Sequence, residues 1–256
     1  MAHRFNIAGV ALNTWRTGLN LLMPPRCVLC DAEIDEGIAR QTCPLCAGQL
    51  RGDATSACRR CGMSSQSNPD GRCSDCRNRR FHFQNVVRVG EYTGPLRDAV
   101  LRAKTLAGEP VAAELGALLS EAVQQQIENN PATSQFDMVT CVPSFWWRRL
   151  QRGTNSAAVI AQVVARRLGV SAGLDMLVCR RNIEKQSQLS LAERKKNVRQ
   201  AFRKSWGFKI ADAKLLLVDD VMTSGATANE IARVLKDAGA RSVMVAVVAR
   251  ALGPDW

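Results

Sequence analysis

Four C-x-x-C pairs constrain this chain of 256 residues more than any other feature. They hold eight of the ten cysteines and are Cys27/Cys30, Cys43/Cys46, Cys58/Cys61 and Cys73/Cys76. A disulfide within this spacing is strained and redox-active, so a secreted disulfide framework is not indicated. Tetrahedral zinc needs two thiolates from one tight turn and two from another, and the pairs supply them. The segment therefore predicts two structural Zn²⁺ sites, with an iron–sulfur cluster or a redox dithiol as the alternatives.

The spacing of the pairs leaves two ways of sharing the two ions. Successive pairs are separated by 12, 11 and 11 residues, which does not distinguish between them. Sequential sharing closes the shortest loops and costs the least chain entropy, so we favour it. Interleaved sharing would instead give a cross-brace. Cys141 and Cys179, which lie outside the pairs, are expected to be small buried side chains rather than nucleophiles.

Composition divides the chain into three regions. Residues 1–26 carry apolar side chains at helical spacing and predict an N-terminal amphipathic helix. Residues 27–80 are polar and poor in large aliphatic side chains, so this double zinc ribbon would depend on metal to fold. Residues 81–256 alternate apolar runs with amphipathic stretches, which predicts an α/β domain with an open parallel sheet flanked by helices. Leu215–Val218 and Val243–Val248 are typical of its central strands.

Charge and composition narrow the classes of function. The formal net charge is +12, which favours phosphates, nucleic acid or an acidic partner. Residues 146–214 hold 16 basic and 4 acidic residues, so this segment accounts for the whole excess. Only 2 histidines are present, which disfavours a Ser–His–Asp triad and histidine-rich metal sites. We expect no export signal from the N-terminal residues, and no run of 18 apolar residues occurs in the sequence. The sequence therefore predicts no membrane span and a reducing cytoplasm.

The most specific motif runs from Leu215 to Thr227 and reads LLLVDDVMTSGAT. An apolar strand ends in Asp219 and Asp220, whose carboxylates can accept hydrogen bonds from sugar hydroxyls or hold Mg²⁺ through water. A loop of small residues then leads into a helix, where backbone N–H groups, hydroxyls and the helix dipole form an anion cradle and glycine allows close approach. The residues that would take a phosphate there are Thr223, Ser224, Gly225, Ala226 and Thr227. The two acids could instead end a Walker B strand, but the chain contains no P-loop sequence to accompany one. An ordinary strand–helix turn capped by Ser or Thr would not explain the presence of the two acids.

The loop resembles the signature of type I phosphoribosyltransferases, which bind phosphoribosyl pyrophosphate (PRPP). Over residues 20–250 the chain is similar to the ComF family, in which a double zinc ribbon precedes a phosphoribosyltransferase domain. The other motifs that carry the resemblance are Gly94-Pro95-Leu96-Arg97 with Lys104, Val142-Pro143, Arg148-Arg149, Arg152-Gly153-Thr154-Asn155, Gln188-Leu189-Ser190, Glu193-Arg194, Asn197-Val198 and Ala201-Phe202. Thr154 and Ser156 stand where the family usually has Phe and Gln.

The resemblance implies a role for each matching residue. Asp219 and Asp220 would bind the ribose hydroxyls as the catalytic acids, and Thr223–Thr227 would hold the 5′-phosphate. The residues implied on the pyrophosphate side, where Mg²⁺ accompanies PRPP, are Lys104, Arg148, Arg149 and Arg152. The basic stretch 180–199 would be a flexible loop that closes over the site. Hypoxanthine-type enzymes carry an acid where this chain has Thr223, so purine salvage is not expected.

Three functions remain open at this point. The first is an enzyme that transfers the ribosyl group of PRPP to an acceptor that the sequence does not name. The second is a module that holds PRPP or a nucleotide while its zinc ribbons and basic face engage single-stranded DNA or a partner. The third is a plain DNA-binding protein, whose binding would depend strongly on salt and not on PRPP. The resemblance implies a role in DNA uptake during competence, beside a DNA-uptake helicase.

Overall fold

The chain packs as two compact units, Met1–Gly48 and Gln49–Trp256. The computed structural model describes residues 24–34, 41–52, 57–64, 73–130, 135–144, 155–181, 183 and 191–251. The division between the units falls between the two predicted zinc sites, so the second site belongs to the same unit as the sheet. Nearly all of the helix predicted within residues 1–26 lies outside the described residues. The domain boundaries predicted at residues 26 and 80 remain predictions.

The secondary structure follows the apolar periodicity of the sequence. The described helices are α1 (Pro44–Leu50), α2 (Gly94–Ala103), α3 (Glu109–Asn129), α4 (Ser156–Leu168), α5 (Leu191–Val198) and α6 (Ala226–Asp237), and a 3-10 turn covers Ser74–Cys76. The described strands are β1 (Val86–Glu91), β2 (Met138–Cys141), β3 (Ser171–Ala172), β4 (Leu177–Cys179), β5 (Phe202–Lys204), β6 (Lys214–Met222) and β7 (Ser242–Arg250). Across the described ranges, no helix is both long and apolar enough to cross a bilayer.

Five strands form one open sheet in the order β1-β7-β6-β2-β3, and each neighbouring pair is parallel. The predicted open parallel sheet is therefore confirmed. The strand β6 lies in the middle of the sheet, paired with β7 on one side and β2 on the other. A separate antiparallel pair, β4 and β5, was not predicted, because strands of three residues are too short to show a periodic pattern.

The middle strands are buried on both faces, as their continuous apolar runs predict. Leu215 and Leu217 of β6 belong to a core cluster with Ile231 and Leu235 of α6. Successive side chains of a strand alternate between faces, so Leu216, which is also fully buried, lies on the opposite face. Burying one such leucine contributes about 1.5–3 kcal/mol. The carboxyl end of β6 is thereby fixed in position before any ligand binds.

The two cysteine-rich segments repeat one local structure. An antiparallel bridge joins Arg26 to Glu33 in the first segment, and an equivalent bridge joins Ala57 to Ser64 in the second. The residue after the second cysteine of the turn has a positive φ in both, 62° at Asp31 and 73° at Gly62. Glycine and aspartate are among the residues that adopt this left-handed conformation most readily. The equivalence indicates an internal repeat of a single zinc knuckle.

Candidate functional site

The two predicted acids lie at the carboxyl end of the middle strand. Open α/β sheets bind ligands at this edge. Asp219 and Asp220 are half-buried there, and the Asp220 amide donates a hydrogen bond of 2.9 Å to Oδ1 of Asp219. Burial raises the pKa of Asp219 well above its usual range, and the charge of Asp220 adds to the shift. Two adjacent carboxylates at this position are suited to accepting hydrogen bonds from hydroxyl groups.

One oxygen of Asp220 joins three separate elements of the fold. Nζ of Lys104, in the turn after α2, lies 3.3 Å from Oδ2 of Asp220. The hydroxyl of Ser156, the first residue of α4, donates a hydrogen bond of 2.8 Å to the same oxygen. The structure thus brings Lys104 to the acid pair, while its implied place on the pyrophosphate side remains a prediction. Ser156 was noted in the sequence only as a departure from the family motif, and its contact with the acid was not predicted.

The loop after β6 is short and passes directly into α6. Gly225 precedes the helix with φ of 71°, and a Cβ at this position would lie 2.8 Å from Cε of Met222. Glycine is therefore required by the backbone conformation, a reason distinct from the close phosphate approach inferred from the sequence. Ser224 is buried, and its Oγ accepts a hydrogen bond of 3.3 Å from the Ala226 amide. Thr223 and Thr227 are half-buried.

Other predicted site residues fall wholly or partly outside the described part of the chain. Arg148, Arg149 and Arg152 lie within residues 145–154, which are not described. Of the predicted closing loop 180–199, the described part contains α5. A guanidinium nitrogen of Arg181 donates hydrogen bonds of 2.8 Å and 3.0 Å to the carbonyls of Asn197 and Arg199. The two ends of this segment are therefore held together, while its closure over a ligand remains a prediction.

The eight paired cysteines form two clusters that follow the order of the sequence. In each cluster the four Sγ atoms lie within 4.8 Å of one another. The first cluster contains Cys27, Cys30, Cys43 and Cys46, and the second contains Cys58, Cys61, Cys73 and Cys76. Sequential sharing is thus confirmed, and the interleaved alternative is wrong. The two cysteines outside the clusters, Cys141 and Cys179, are buried as predicted.

The distances within the clusters fit zinc. Sγ atoms are 3.7 Å apart in Cys30–Cys43 and Cys58–Cys76, and 3.5 Å apart in Cys61–Cys73. Four sulfurs around one zinc, each about 2.3 Å from the ion, would lie roughly 3.8 Å from one another, whereas a disulfide requires about 2.05 Å. Hydrogen bonds from the Cys61 thiol and nearby amides lower the pKa of Cys58 to about 4, against the effect of burial. Both clusters are therefore suited to closed, structural Zn²⁺ sites.

Two arginines contact the loop after β6 and were not predicted. Arg250, at the end of β7, is fully buried and donates to the carbonyls of Met222 and Thr223. Arg79 donates a hydrogen bond of 2.9 Å to the carbonyl of Ser224. The sequence feature that could have drawn attention to Arg250 is a single cation at the end of an otherwise apolar run, SVMVAVVAR. A buried charge of this kind indicates a specific polar partner but does not identify it.

Comparisons with known proteins match both parts of the chain. The family model for the phosphoribosyl transferase domain matches residues 154–253, and that for the double zinc ribbon domain matches residues 18–77. The DNA utilization protein YhgH of Salmonella typhimurium is 30% identical over 210 residues, which cover 82% of this chain and 90% of that protein. Competence protein F of Haemophilus influenzae is 28% identical over 229 residues, covering 88% of this chain and 97% of that protein.

Solved structures give a weaker likeness. The glutamine PRPP amidotransferase from B. subtilis is 24% identical with a TM-score of 0.38, and the match covers 59% of this chain. This chain spans only 30% of the length of that enzyme.

Proposed function

The chain belongs to the ComF family, and we propose that it binds Mg²⁺–PRPP at the carboxyl end of β6 and acts in DNA utilization. One observation carries the proposal: the Asp219–Asp220 pair lies at the edge of the sheet, with the N-terminus of α6 six residues further along the chain. The pair supplies acceptors for a sugar, and the helix N-terminus supplies donors for a phosphate. A sugar phosphate is the ligand class that needs acceptors for its hydroxyls and, close by, donors for its phosphate.

Each part of PRPP has a proposed counterpart. The ribose hydroxyls would donate to the carboxylates of Asp219 and Asp220, and the 5′-phosphate would accept from the amides and hydroxyls of Thr223–Thr227. Lys104 lies 3.3 Å from Asp220 and would interact with the pyrophosphate group. Arg148, Arg149 and Arg152 would line the same side. These charges would stabilise pyrophosphate as it leaves through an oxocarbenium-like transition state.

The acid pair is better suited to Mg²⁺ that is already bound to PRPP than to a free Mg²⁺ ion. Asp220 already accepts from Ser156 and lies beside the Lys104 ammonium, so a cation there would compete with an existing positive charge. Mg²⁺ usually keeps several waters and is held by substrate phosphates with one or two carboxylates. Asp219 and Asp220 would hold the Mg²⁺ that accompanies the diphosphate through water, and the ion would supply positive charge for the leaving pyrophosphate.

A cavity at the start of α4 has room for an acceptor. Its volume is about 480 Å³, and it is lined by Ser144, Asn155 and Asp175 together with apolar residues from β4. Asn155 immediately precedes Ser156, whose hydroxyl contacts Asp220. The polar lining favours an acceptor with hydrogen-bonding groups.

The proposed link to DNA draws on the names of the relatives and on charge. The relatives are called DNA utilization protein and competence protein, and we extend that role to this chain. The basic segment 146–214 would attract the phosphates of single-stranded DNA. A DNA-uptake helicase is a further proposed partner, and the cytoplasm is the proposed location.

Calorimetric titration of the zinc-loaded protein with Mg²⁺–PRPP tests the proposal. Saturable binding of one PRPP per chain, weaker by about tenfold or more for ribose 5-phosphate, is expected, because ribose 5-phosphate lacks the diphosphate. Absence of binding would contradict the proposal. Pyrophosphate release, measured while nucleobases and other acceptors are added in turn, then separates group transfer from binding alone.

A further inference from the structure

Three successive carbonyl groups, at the end of β6 and in the loop that follows it, accept hydrogen bonds from arginines. A terminal nitrogen of Arg250 donates to the Met222 carbonyl at 2.7 Å and also to the Thr223 carbonyl. Arg79 donates to the next carbonyl, that of Ser224, at 2.9 Å. Three consecutive peptide groups are therefore oriented by two guanidinium groups.

This orientation fixes the direction of the loop amides. No described peptide bond is cis, and in a trans peptide the N–H of the next residue points opposite to the carbonyl. The N–H groups of Thr223, Ser224 and Gly225 consequently point away from the arginines. Successive N–H groups directed to one side form a concave anion-binding surface. The arginines act from the opposite side of the loop from the anion that it would bind.

Both arginines are anchored at the second cysteine cluster. Nε of Arg250 donates a hydrogen bond of 2.9 Å to the carbonyl of Cys61. Arg79 follows Cys76 by three residues, and its guanidinium lies 5.1 Å from the centre of the Phe81 ring. Phe81 in turn packs against both the second cluster and the core of the sheet. Direct contacts therefore connect the second cluster to the loop.

We propose that Arg250 and Arg79 are positioning residues that couple the second zinc centre to the phosphate loop, so that an intact second centre is required for tight phosphate binding. The identity of the ligand rests on the proposed function above. The orientation of the loop amides does not, since it follows from the hydrogen bonds alone. The first zinc centre lies in the other unit of the chain, and the proposal concerns the second centre alone.

Arg79→Gln is the more direct test, because Arg79 is only half-buried. Its matched control is Arg77→Gln, which removes the same charge from an exposed residue of the same segment. Loss of a hydrogen bond from a charged donor is expected to weaken Mg²⁺–PRPP binding by about tenfold in Arg79→Gln. Arg77→Gln should stay within about twofold of the wild type. Equal affinities in the two variants would overturn the proposal.

Amide hydrogen exchange provides a readout that needs no ligand. Arg250→Lys keeps the charge but cannot contact Cys61 and the loop at once, so the Ser224 and Gly225 amides should exchange at least about tenfold faster. The control is Arg88→Lys, since Arg88 is also buried and donates to Ser64 of the same ribbon. Loop exchange that rises equally in both variants would show a general loss of stability and overturn the proposal.

The two zinc centres can be compared by Cys73→Ser and Cys43→Ser. Each variant removes one thiolate from one cluster, and only Cys73→Ser should weaken Mg²⁺–PRPP binding and speed exchange of the loop amides. Equal effects would overturn the coupling. If Cys73→Ser does not fold, the Arg79 and Arg77 variants decide. If the wild type does not bind Mg²⁺–PRPP, the proposed function fails, and hydrogen exchange still decides whether the coupling exists.

Discussion

The hydroxyl of Ser156 donates a hydrogen bond of 2.8 Å to Oδ2 of Asp220. Nζ of Lys104 lies 3.3 Å from that same oxygen. A residue that begins α4 and a residue that follows α2 therefore hold one carboxylate at the end of β6. Groups held in place before the ligand arrives lose little freedom on binding, which favours affinity and orientation. The acid pair is thus pre-positioned by contacts between distant parts of the chain.

Ser156→Ala should weaken Mg²⁺–PRPP binding by about fivefold to tenfold, because one of the two groups that orient Asp220 is lost. Calorimetric titration measures the affinity, and thermal unfolding measures the accompanying change in stability. Ser120→Ala is the control, since Ser120 is also buried in a helix and donates to the carbonyl of Ala117 far from the site. Wild-type affinity in Ser156→Ala would show that this contact does not orient the acid.

Gly225→Ala should destabilise the fold by about 1–2 kcal/mol and abolish tight PRPP binding, because alanine is strained at φ of 71°. The added Cβ would also lie 2.8 Å from Cε of Met222. Gly169→Ala provides the comparison, since Gly169 has φ of 70° with open space around it and ends α4. Both variants should lose stability in urea unfolding, but only Gly225→Ala should lose binding. Equal binding by the two would contradict the assigned role of the loop.

Metal analysis should give about two zinc ions per chain, and about one for either Cys43→Ser or Cys73→Ser. The thermal consequences should differ. Phe81 packs against both the second cluster and the sheet core, so Cys73→Ser should lower the unfolding temperature of the sheet by several degrees more than Cys43→Ser. A wild-type value near one ion would contradict the assignment of two filled sites.

The ion pair between Glu230 and Arg233 should make the free energy of unfolding depend on pH in the acidic range. Arg233 donates to Glu230 at 2.7 Å and 3.1 Å, and these bonds hold the pKa of Glu230 below its usual value of 4.5. A lowered folded-state pKa adds stability that is present above the unfolded value and is lost as pH falls through the folded value. Glu230→Gln should therefore cost about 1 kcal/mol at pH 7 and almost nothing at strongly acidic pH.

Urea unfolding of the wild type and Glu230→Gln at both pH values measures this difference. Asp237→Asn is the control, because Asp237 also bonds Arg233 but is 62% exposed, so solvent should screen its contribution. A Glu230→Gln effect that is the same at both pH values would contradict the assigned ion pair.

Much of this fold is predictable from local patterns. Continuous apolar runs such as Leu215–Val218 identify middle strands, since only strands buried on both faces lack polar alternation. The grouping of the cysteines follows from loop entropy, because the shortest closures bring together the pairs that are found together. The loop from Asp219 to Thr227 is recognisable from sequence alone, because its acids, its glycine and the start of the helix are contiguous in the chain.

The remainder depends on partners that are distant in the sequence. Arg250 contacts Cys61 across 189 residues, and Ser156 contacts Asp220 across 64 residues. No local periodicity records such pairs. The charged end of an apolar run indicates only that some buried partner exists. The contact between the first residue of α4 and Asp220 was therefore not predicted.

The affinity of Asp219→Asn/Asp220→Asn for Mg²⁺–PRPP tests the central claim most directly. The double variant keeps the shape of both side chains and replaces one oxygen of each carboxyl with an amide donor, so the ribose hydroxyls would lose acceptors. We predict a loss of about a hundredfold or more, relative to the wild type, in calorimetric titration with zinc content unchanged. Wild-type affinity in the double variant would contradict the claim that this acid pair holds the sugar.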